Sequence, residues 1–370
     1  MEQMEKALAH FKGLLEEQFR RLETLNKPKK DFSSIETVTV GISPGDGIGP
    51  IITAQAVRVG EQLLKDEITG GKVILKPIEG LTIENRLAQG QAVPADVLAE
   101  IKACDVLLKG PTTTPNGGTL ESANVTLRRE LDLYANVRPV AVPGEGIDWI
   151  FFRENTEGEY VLGSRGIDLP GMAVDFQVPT DAGTRRIARA AFDYDRQNSK
   201  TKVTVVTKAN IMKKTDGKFS QICKEVAAEY PEIETEEYYI DIMTANLVNP
   251  ELRSQFQVVL LPNLYGDIIT DEAAQIQGGI GTAGSANMGD QYAMFEAVHG
   301  SAPRLMEAGL GNYANPSSIL KAAAMLLRHI GRTGAARKLE NALENCPVVM
   351  TGKADGPTAA DYTDALLTML

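Results

Sequence analysis

From Val38 onward, short β-branched apolar runs alternate with segments in which apolar residues recur every three or four positions. "VTVGI" (38–42) precedes a predicted helix over about residues 51–64, and "KVILKPI" and "DVLLKG" flank a predicted helix near residues 95–103. The alternation resumes at "KVTVVTK" (202–208), followed by a helix around 218–229, then "EEYYI", "FQVVLLP" and a helix over about 265–277. Such alternation predicts an α/β chain with a mostly parallel sheet covered by helices. Residues 160–180 are less regular, rich in Gly, Asp and Val, and read as an inserted subdomain. From Pro316 to the end the pattern is mostly helical.

Residues 1–36 stand apart. Met4, Leu8, Phe11, Leu15, Leu22 and Leu25 recur at three and four residues, with charges between them, before "NKPKKDFSS" breaks the pattern. This predicts an amphipathic helix and a linker, the helix either docked on its own domain or acting as a dimer arm. Gln18 interrupts the apolar stripe and argues against a coiled coil.

With 370 residues, 43% of them hydrophobic, the chain can bury one large core or two moderate ones. No apolar run approaches the roughly 20 residues of a membrane span, and the N-terminus has neither a signal-peptide core nor an acid-poor transit character, so a cytoplasmic location is expected. Cys104, Cys223 and Cys346 are widely spaced and suggest buried thiols rather than disulfides or a zinc site. A net charge of −11 argues against nucleic-acid or anionic-membrane partners. An anionic ligand must therefore meet a local basic cluster.

Residues 108–140 contain one. Ser122, Asn124 and Arg128 fall where a loop enters a helix, and Arg138 follows on the next extended segment. Guanidinium groups with a hydroxyl and an amide suit a small polycarboxylate, because arginine makes bidentate charge-assisted bonds. "IFFRENTEGEY" adds Arg153 after an apolar strand and Tyr160 seven residues later, a tyrosine beside cations that can serve as a proton donor. Asp241, and Asp267 with Asp271 at i, i+4, are carboxylates of the kind that suit Mg²⁺ or Mn²⁺. Asp267 follows Gly266 near a predicted helix start, where capping alone would also explain it. "GISPGDGIGP" resembles a dinucleotide fingerprint, but its third glycine is missing and Asp46 places a negative charge where a phosphate would come. The alternative is a tight turn with Pro50 opening a helix.

In order, "GDGIGP", "LKGPTTTP", "SANVTLRRELDLYANVRPV", "FRENTEGEY", "TKANIMKKTDGKF", "NLYGDIITDEAA" and "FEAVHGSAP…NYANPSSI" resemble the metal-dependent β-decarboxylating dehydrogenases, the isocitrate/isopropylmalate dehydrogenase family, from about Val38 to the C-terminus. The resemblance implies that family's fold, which is not a Rossmann fold: a large, mostly parallel cofactor-binding domain (37–133 and 292–370) and a smaller dimerising substrate domain (134–291) with a clasp at about 160–180. It makes "GDGIGP" a turn near the nicotinamide. By the same resemblance Ser122, Asn124, Arg128, Arg138 and Arg153 hold substrate carboxylates, and Asp241, Asp267 and Asp271 hold Mg²⁺ or Mn²⁺. Tyr160, helped by Lys208, protonates the enol, and Lys208 and Asp241 relay the hydroxyl proton from the second subunit of a homodimer with shared active sites. Thr113 and Asn210 are expected near the nicotinamide or substrate. The stretch "NLVNPELRSQF" is longer than usual for the family.

Isopropylmalate enzymes place a glutamate and leucines on the recognition helix, whereas Ser122, Ala123 and Asn124 here suit a third carboxylate. Isocitrate is therefore the expected substrate, with homoisocitrate or isopropylmalate as alternatives, since one methylene discriminates by only about 1–3 kcal/mol. A non-catalytic regulatory subunit is the rival class, disfavoured because Tyr160, Lys208 and all three aspartates are present. For the cofactor, His299, Gly300, Arg304, Glu307 and Asn315 lie in the loop expected at the adenosine ribose. Arg304 alone would suit NADP, whereas Glu307 would repel a 2′-phosphate and accept ribose hydroxyls, so NAD is expected and NADP is the alternative.

Overall fold

A computed structural model describes residues 2–370 except 24, 26, 27, 116–119 and 164, so Asn26 and Lys27 of the expected linker lie outside the described residues. Twelve strands occur among the described residues. They are β1 (Val38–Ser43), β2 (Val73–Pro77), β3 (Val106–Lys109), β4 (Ala135–Val142), β5 (Ile147–Glu154), β6 (Ile167–Leu169), β7 (Met172–Val174), β8 (Lys202–Thr207), β9 (Glu234–Tyr239), β10 (Val258–Leu261), β11 (Gly284–Met288) and β12 (Ala293–Ala297). The chain divides into two compact units: Met1–Lys29, Tyr134–Asn136 and Ala141–Ala273 form the first, and Lys30–Leu133, Val137–Val140 and Ala274–Leu370 the second.

In the second unit the strand order is β2-β1-β3-β12-β11. β1 pairs with β2 and β3 in parallel, β3 with β12 in parallel, and β12 with β11 antiparallel. All four residues of β3 and all five of β12 are buried, as expected of strands covered on both faces. The helix Gly49–Leu63 carries Pro50 in its first turn, where the missing N–H costs nothing. Ile78, Val97, Leu107, Leu127 and Met294 belong to one buried cluster, which seats the helix Ala123–Glu130 on the core.

In the first unit the order is β5-β10-β8-β9, all parallel, while β6 and β7 form a small antiparallel hairpin within the irregular stretch. The helix Asp181–Gln197, which was not among the expected elements, begins after the N-cap Thr180, whose side chain accepts from the Gly183 N–H. Its Ile187, Ala188, Ala191 and Phe192 are buried. Trp149 on β5 is buried and donates its indole N–H to the Arg253 carbonyl at 2.8 Å.

The N-terminal helix spans Glu2–Leu22 and docks on the first unit through only part of the expected stripe: Phe11 stacks on Phe176 at 5.1 Å, while Met4, Leu8 and Leu15 are exposed. Leu14 and Gln18 are its buried residues, whereas Met4 and Phe19 are 56% and 67% exposed. Leu14 packs with Val161 and Leu162, with Phe176 and Val178 beside them.

Candidate functional site

In the second unit, three loops meet at the C-terminal ends of parallel strands. Gly45 and Gly47 have φ of 73° and 57°, and a Cβ on Gly47 would lie 2.1 Å from the Ser301 carbonyl oxygen, so "GDGIGP" is a tight turn pressed against "HGSAP". The Asp46 carboxylate accepts the Ile83 N–H at 2.8 Å and the Thr113 N–H at 2.7 Å. Its charge therefore serves backbone donors, which removes the phosphate-cradle reading of this turn. The Thr113 hydroxyl lies 2.7 Å from that of Ser301. Arg86, fully buried, donates to the carbonyls of Ala92, Thr113 and Glu121 at 2.7, 2.8 and 3.3 Å, and so ties the Thr113 loop to the start of the recognition helix.

Ser122 is the N-cap of the helix Ala123–Glu130, and its hydroxyl makes no capping bond. Asn124 Oδ1 accepts the Thr112 hydroxyl at 3.3 Å. Glu121 accepts both Nη groups of Arg129, at 3.0 and 2.8 Å, and the Thr126 hydroxyl at 2.7 Å, which fixes the first turn. Arg128 is buried and donates through Nη2 to Glu296 at 3.3 Å, while its buried Nε meets no acceptor among the described residues. A buried guanidinium N–H without an acceptor is costly unless a ligand supplies one. Arg138, on β4, is also buried.

Glu296 additionally accepts Lys109 Nζ at 3.3 Å and Asn287 Nδ2 at 2.9 Å. Burial would raise its carboxyl, but Lys109 and Arg128 outweigh burial and hold it below the usual range. Glu296→Gln keeps the shape and leaves two neighbouring cations uncompensated, and should cost about 3 kcal/mol. A lower urea midpoint at unchanged m-value checks this, whereas an unchanged midpoint would make the pair energetically idle.

The remaining second-unit residues lie further along the same loop. His299 Nδ1 is 3.0 Å from the Gly300 carbonyl, Arg304 and Glu307 are exposed on the helix Pro303–Glu307, and Asn315 Oδ1 accepts the Ser317 N–H at 2.9 Å.

The first unit holds a separate cluster. Arg153, at the end of β5, is 0% exposed and donates through Nε and Nη2 to Asn263 Oδ1 at 3.0 and 2.6 Å, and through Nη1 to Asp267. Its guanidinium lies 5.2 Å from the Tyr160 ring centroid, and the Tyr160 hydroxyl donates to Asp267 Oδ2 at 2.8 Å. Gly266 makes this packing feasible, since a Cβ there would lie 2.5 Å from Arg153 Cγ. The helix bearing Asp267 and Asp271 begins at Asn263, two residues before the expected start. Asp267 thus sits in the second turn, which excludes helix capping as its purpose. Burial, and then the Glu154 charge, pushes the Glu157 carboxyl up to about 7 against the pull of Arg21.

Lys208, just beyond β8, pairs with Asp241 at 2.6 Å, and its backbone N–H is held by buried Asp216 at 2.6 Å. The Asp241 side chain is 60% exposed, and the hydrogen bond from Lys208 lowers its pKa. Asn210 is exposed two residues further on. Asp267 and Asp271 offer only hard oxygen donors, which fits Mg²⁺ or Mn²⁺. Among the described residues of one chain, however, no three acidic, His or Cys side chains converge on a common metal position.

Asp46, Arg86, Asn263, Asp216 and Glu296 all position site residues, and sequence spacing did not single them out in that role.

The family model for isocitrate/isopropylmalate dehydrogenases matches residues 39–353. A regulatory subunit of a mitochondrial NAD isocitrate dehydrogenase, from Dictyostelium discoideum, is 38% identical over 93% of this chain and 94% of its own. An NADP isocitrate dehydrogenase from Rickettsia prowazekii is 39% identical over 82% of this chain and 62% of its own. The crystal structure of isocitrate dehydrogenase from Methylococcus capsulatus aligns with a TM-score of 0.79 at 37% identity, covering 90% of this chain and 99% of that one. Matched by that family model over residues 39–353 and by relatives along most of its length, the chain belongs to the isocitrate/isopropylmalate dehydrogenase family.

Proposed function

We propose that this chain catalyses the oxidative decarboxylation of isocitrate to 2-oxoglutarate and CO₂, with Mg²⁺ or Mn²⁺ and NAD, as a homodimer that shares its active sites. The observation that carries the reading is the Arg153–Asp267–Tyr160 cluster, in which a proton donor, a carboxylate and a buried cation are hydrogen-bonded together. A purely regulatory chain, the function named for the Dictyostelium relative, has no need of that constellation or of Lys208 and Asp241.

Mg²⁺ or Mn²⁺, when bound, would be held by Asp267, Asp271 and a second copy's Asp241 and would supply charge stabilisation at the substrate oxygens, and a bound nicotinamide would supply the hydride acceptor. Arg128, Arg138 and Arg153 bind carboxylates, and the unsatisfied Arg128 Nε is one donor awaiting such an acceptor. Ser122 and Asn124 orient the third carboxylate. Lys208 and Asp241 take the hydroxyl proton as hydride leaves, and after CO₂ is lost Tyr160 returns a proton to the enol carbon. A second copy is supported by Ile211, Met212 and Ile242, all exposed apolar residues close in sequence to Lys208 and Asp241. Turnover with Mg²⁺ on isocitrate, homoisocitrate and isopropylmalate, each with both nicotinamide cofactors, tests the reading. The highest kcat/KM belongs to isocitrate, and a higher value for either rival would replace it.

The exposed Glu307 carboxylate supports NAD, since it accepts ribose hydroxyls and repels a 2′-phosphate. The expected result is a higher kcat/KM for NAD⁺ than for NADP⁺, with the preference lost in Glu307→Gln. An NADP⁺ preference that Arg304→Ala diminishes would make Arg304 the phosphate reader.

A further inference from the structure

We infer that the N-terminal helix is a positioning element for the catalytic tyrosine segment, acting through Arg21 on one side of Tyr160 and through Glu17 on the other. This rests on the proposed function for Tyr160 but lies beyond it. The family match begins at residue 39, so the helix belongs to no part of the matched region.

The way the helix docks carries the inference. The helix turns Met4, Leu8, Leu15 and Phe19 outward and docks through a mixed face, in which Phe11 stacks on Phe176 and Leu14 is buried beside the polar Glu17, Gln18 and Arg21. Arg21 donates Nε to Gln18 at 3.1 Å and Nη2 to Glu157 Oε1 at 2.5 Å. Buried Gln18, which breaks the apolar stripe in the sequence, thus orients the arginine. On the far side of Tyr160, Glu17 accepts Arg165 Nη1 at 2.6 Å, and Arg165 donates its other groups to the Val161 and Leu162 carbonyls at 3.1 and 3.3 Å. Leu14 packs on Val161 and Leu162 between these two ties. Glu157 before Tyr160 and Arg165 after it are therefore both held by one helix face.

The grip at Glu157 reaches the reacting groups through few intermediaries. The Glu157 carboxylate also accepts the Thr180 N–H and hydroxyl at 2.7 and 2.6 Å, which fixes the side chain. The Glu157 carbonyl accepts Asn263 Nδ2 at 3.0 Å, and Asn263 Oδ1 holds Arg153, which holds Asp267, the acceptor of the Tyr160 hydroxyl. Loss of Arg21 leaves a nearly fully buried carboxylate beside Glu154 without its cation, and the segment must relax to hydrate or protonate it. Small displacements of a proton donor are expensive in rate.

The test uses the full-length enzyme. Arg21→Met should lower kcat for isocitrate by about tenfold or more with a smaller change in KM, and Arg21→Lys, which keeps the charge, should recover most of the loss. Glu17→Gln, which breaks the other tie at a more exposed position, should give a smaller fall in kcat. Amide hydrogen exchange in peptides covering residues 155–165 should accelerate in Arg21→Met while peptides covering 38–43 stay unchanged. A wild-type kcat together with unchanged exchange over 155–165 in Arg21→Met would reduce the helix to passive cover and overturn the inference. If the wild-type chain fails to turn over isocitrate, the functional reading falls, and the exchange measurement still decides whether the helix holds the segment.

Discussion

Tyr160→Phe is expected to lower kcat for isocitrate oxidation by about 10²–10⁴-fold while leaving the KM for isocitrate near its wild-type value. Only the hydroxyl is lost. The ring stays over the Arg153 guanidinium, 5.2 Å away, so the segment keeps its stacking contact, and Arg153 keeps both its bonds to Asn263 and its pair with Asp267. What disappears is the proton that would reach the enol carbon after CO₂ leaves. Hydride transfer does not use that proton, so oxalosuccinate added to the mutant should be reduced faster than the mutant oxidises isocitrate. Mixing Tyr160→Phe chains with Lys208→Met chains should restore turnover if Lys208 serves its neighbour's site. A mutant with normal kcat would remove Tyr160 from the mechanism.

Most of the parallel strands were legible because they are short, continuous apolar runs, β9 with its glutamates being the exception. "VTVGI", "DVLLKG" and "FQVVLLP" became β1, β3 and β10 with boundaries off by at most two residues. The antiparallel pair was not. "GSANM" in β11 is built of small residues, which β propensity ranks low, and its place is set by packing under the helix Ser317–His329, where the Ser318 hydroxyl donates to the Ala283 carbonyl. In the helix Asp181–Gln197, Ile187, Ala188, Ala191 and Phe192 fall at helical spacing among arginines and aspartates, so its buried stripe is carried by the sequence although it was not among the expected elements.

The candidate site divides in the same way. Residue types with distinctive chemistry at fixed spacing, such as Asp267 with Asp271 or Ser122 with Arg128, could be named as candidates from the sequence, their roles coming from the family resemblance. Their supports could not, because each depends on a partner far away in sequence: Asp46 on Thr113, Asn263 on Arg153, Glu296 on Lys109. The N-terminal helix shows the limit most plainly. Its periodicity caught Phe11, which stacks on Phe176, but not the buried Leu14 and Gln18 or the ion pairs to residues 157 and 165.

Ser122→Asp should reduce kcat/KM for isocitrate by about 10³-fold, whereas Ser122→Ala should cost only about fivefold, the worth of one neutral hydrogen bond of about 1 kcal/mol. The difference isolates charge from contact. At a helix N-cap Asp is as acceptable as Ser, and its charge suits the N-terminal end of the helix dipole, so the helix Ala123–Glu130 keeps its fold and thermal stability. Glu121 stays committed to Arg129 and Thr126, and Arg128 stays tied to Glu296. The new carboxylate therefore acts on binding rather than on the fold. It competes for the buried arginine and opposes an incoming carboxylate with a repulsion of about 4 kcal/mol at close range near a protein surface. Steady-state kinetics of both variants, with melting curves to confirm equal stability, check this. Equal losses in Asp and Ala would mean that Ser122 contributes only its hydroxyl contact and that no substrate carboxylate approaches it.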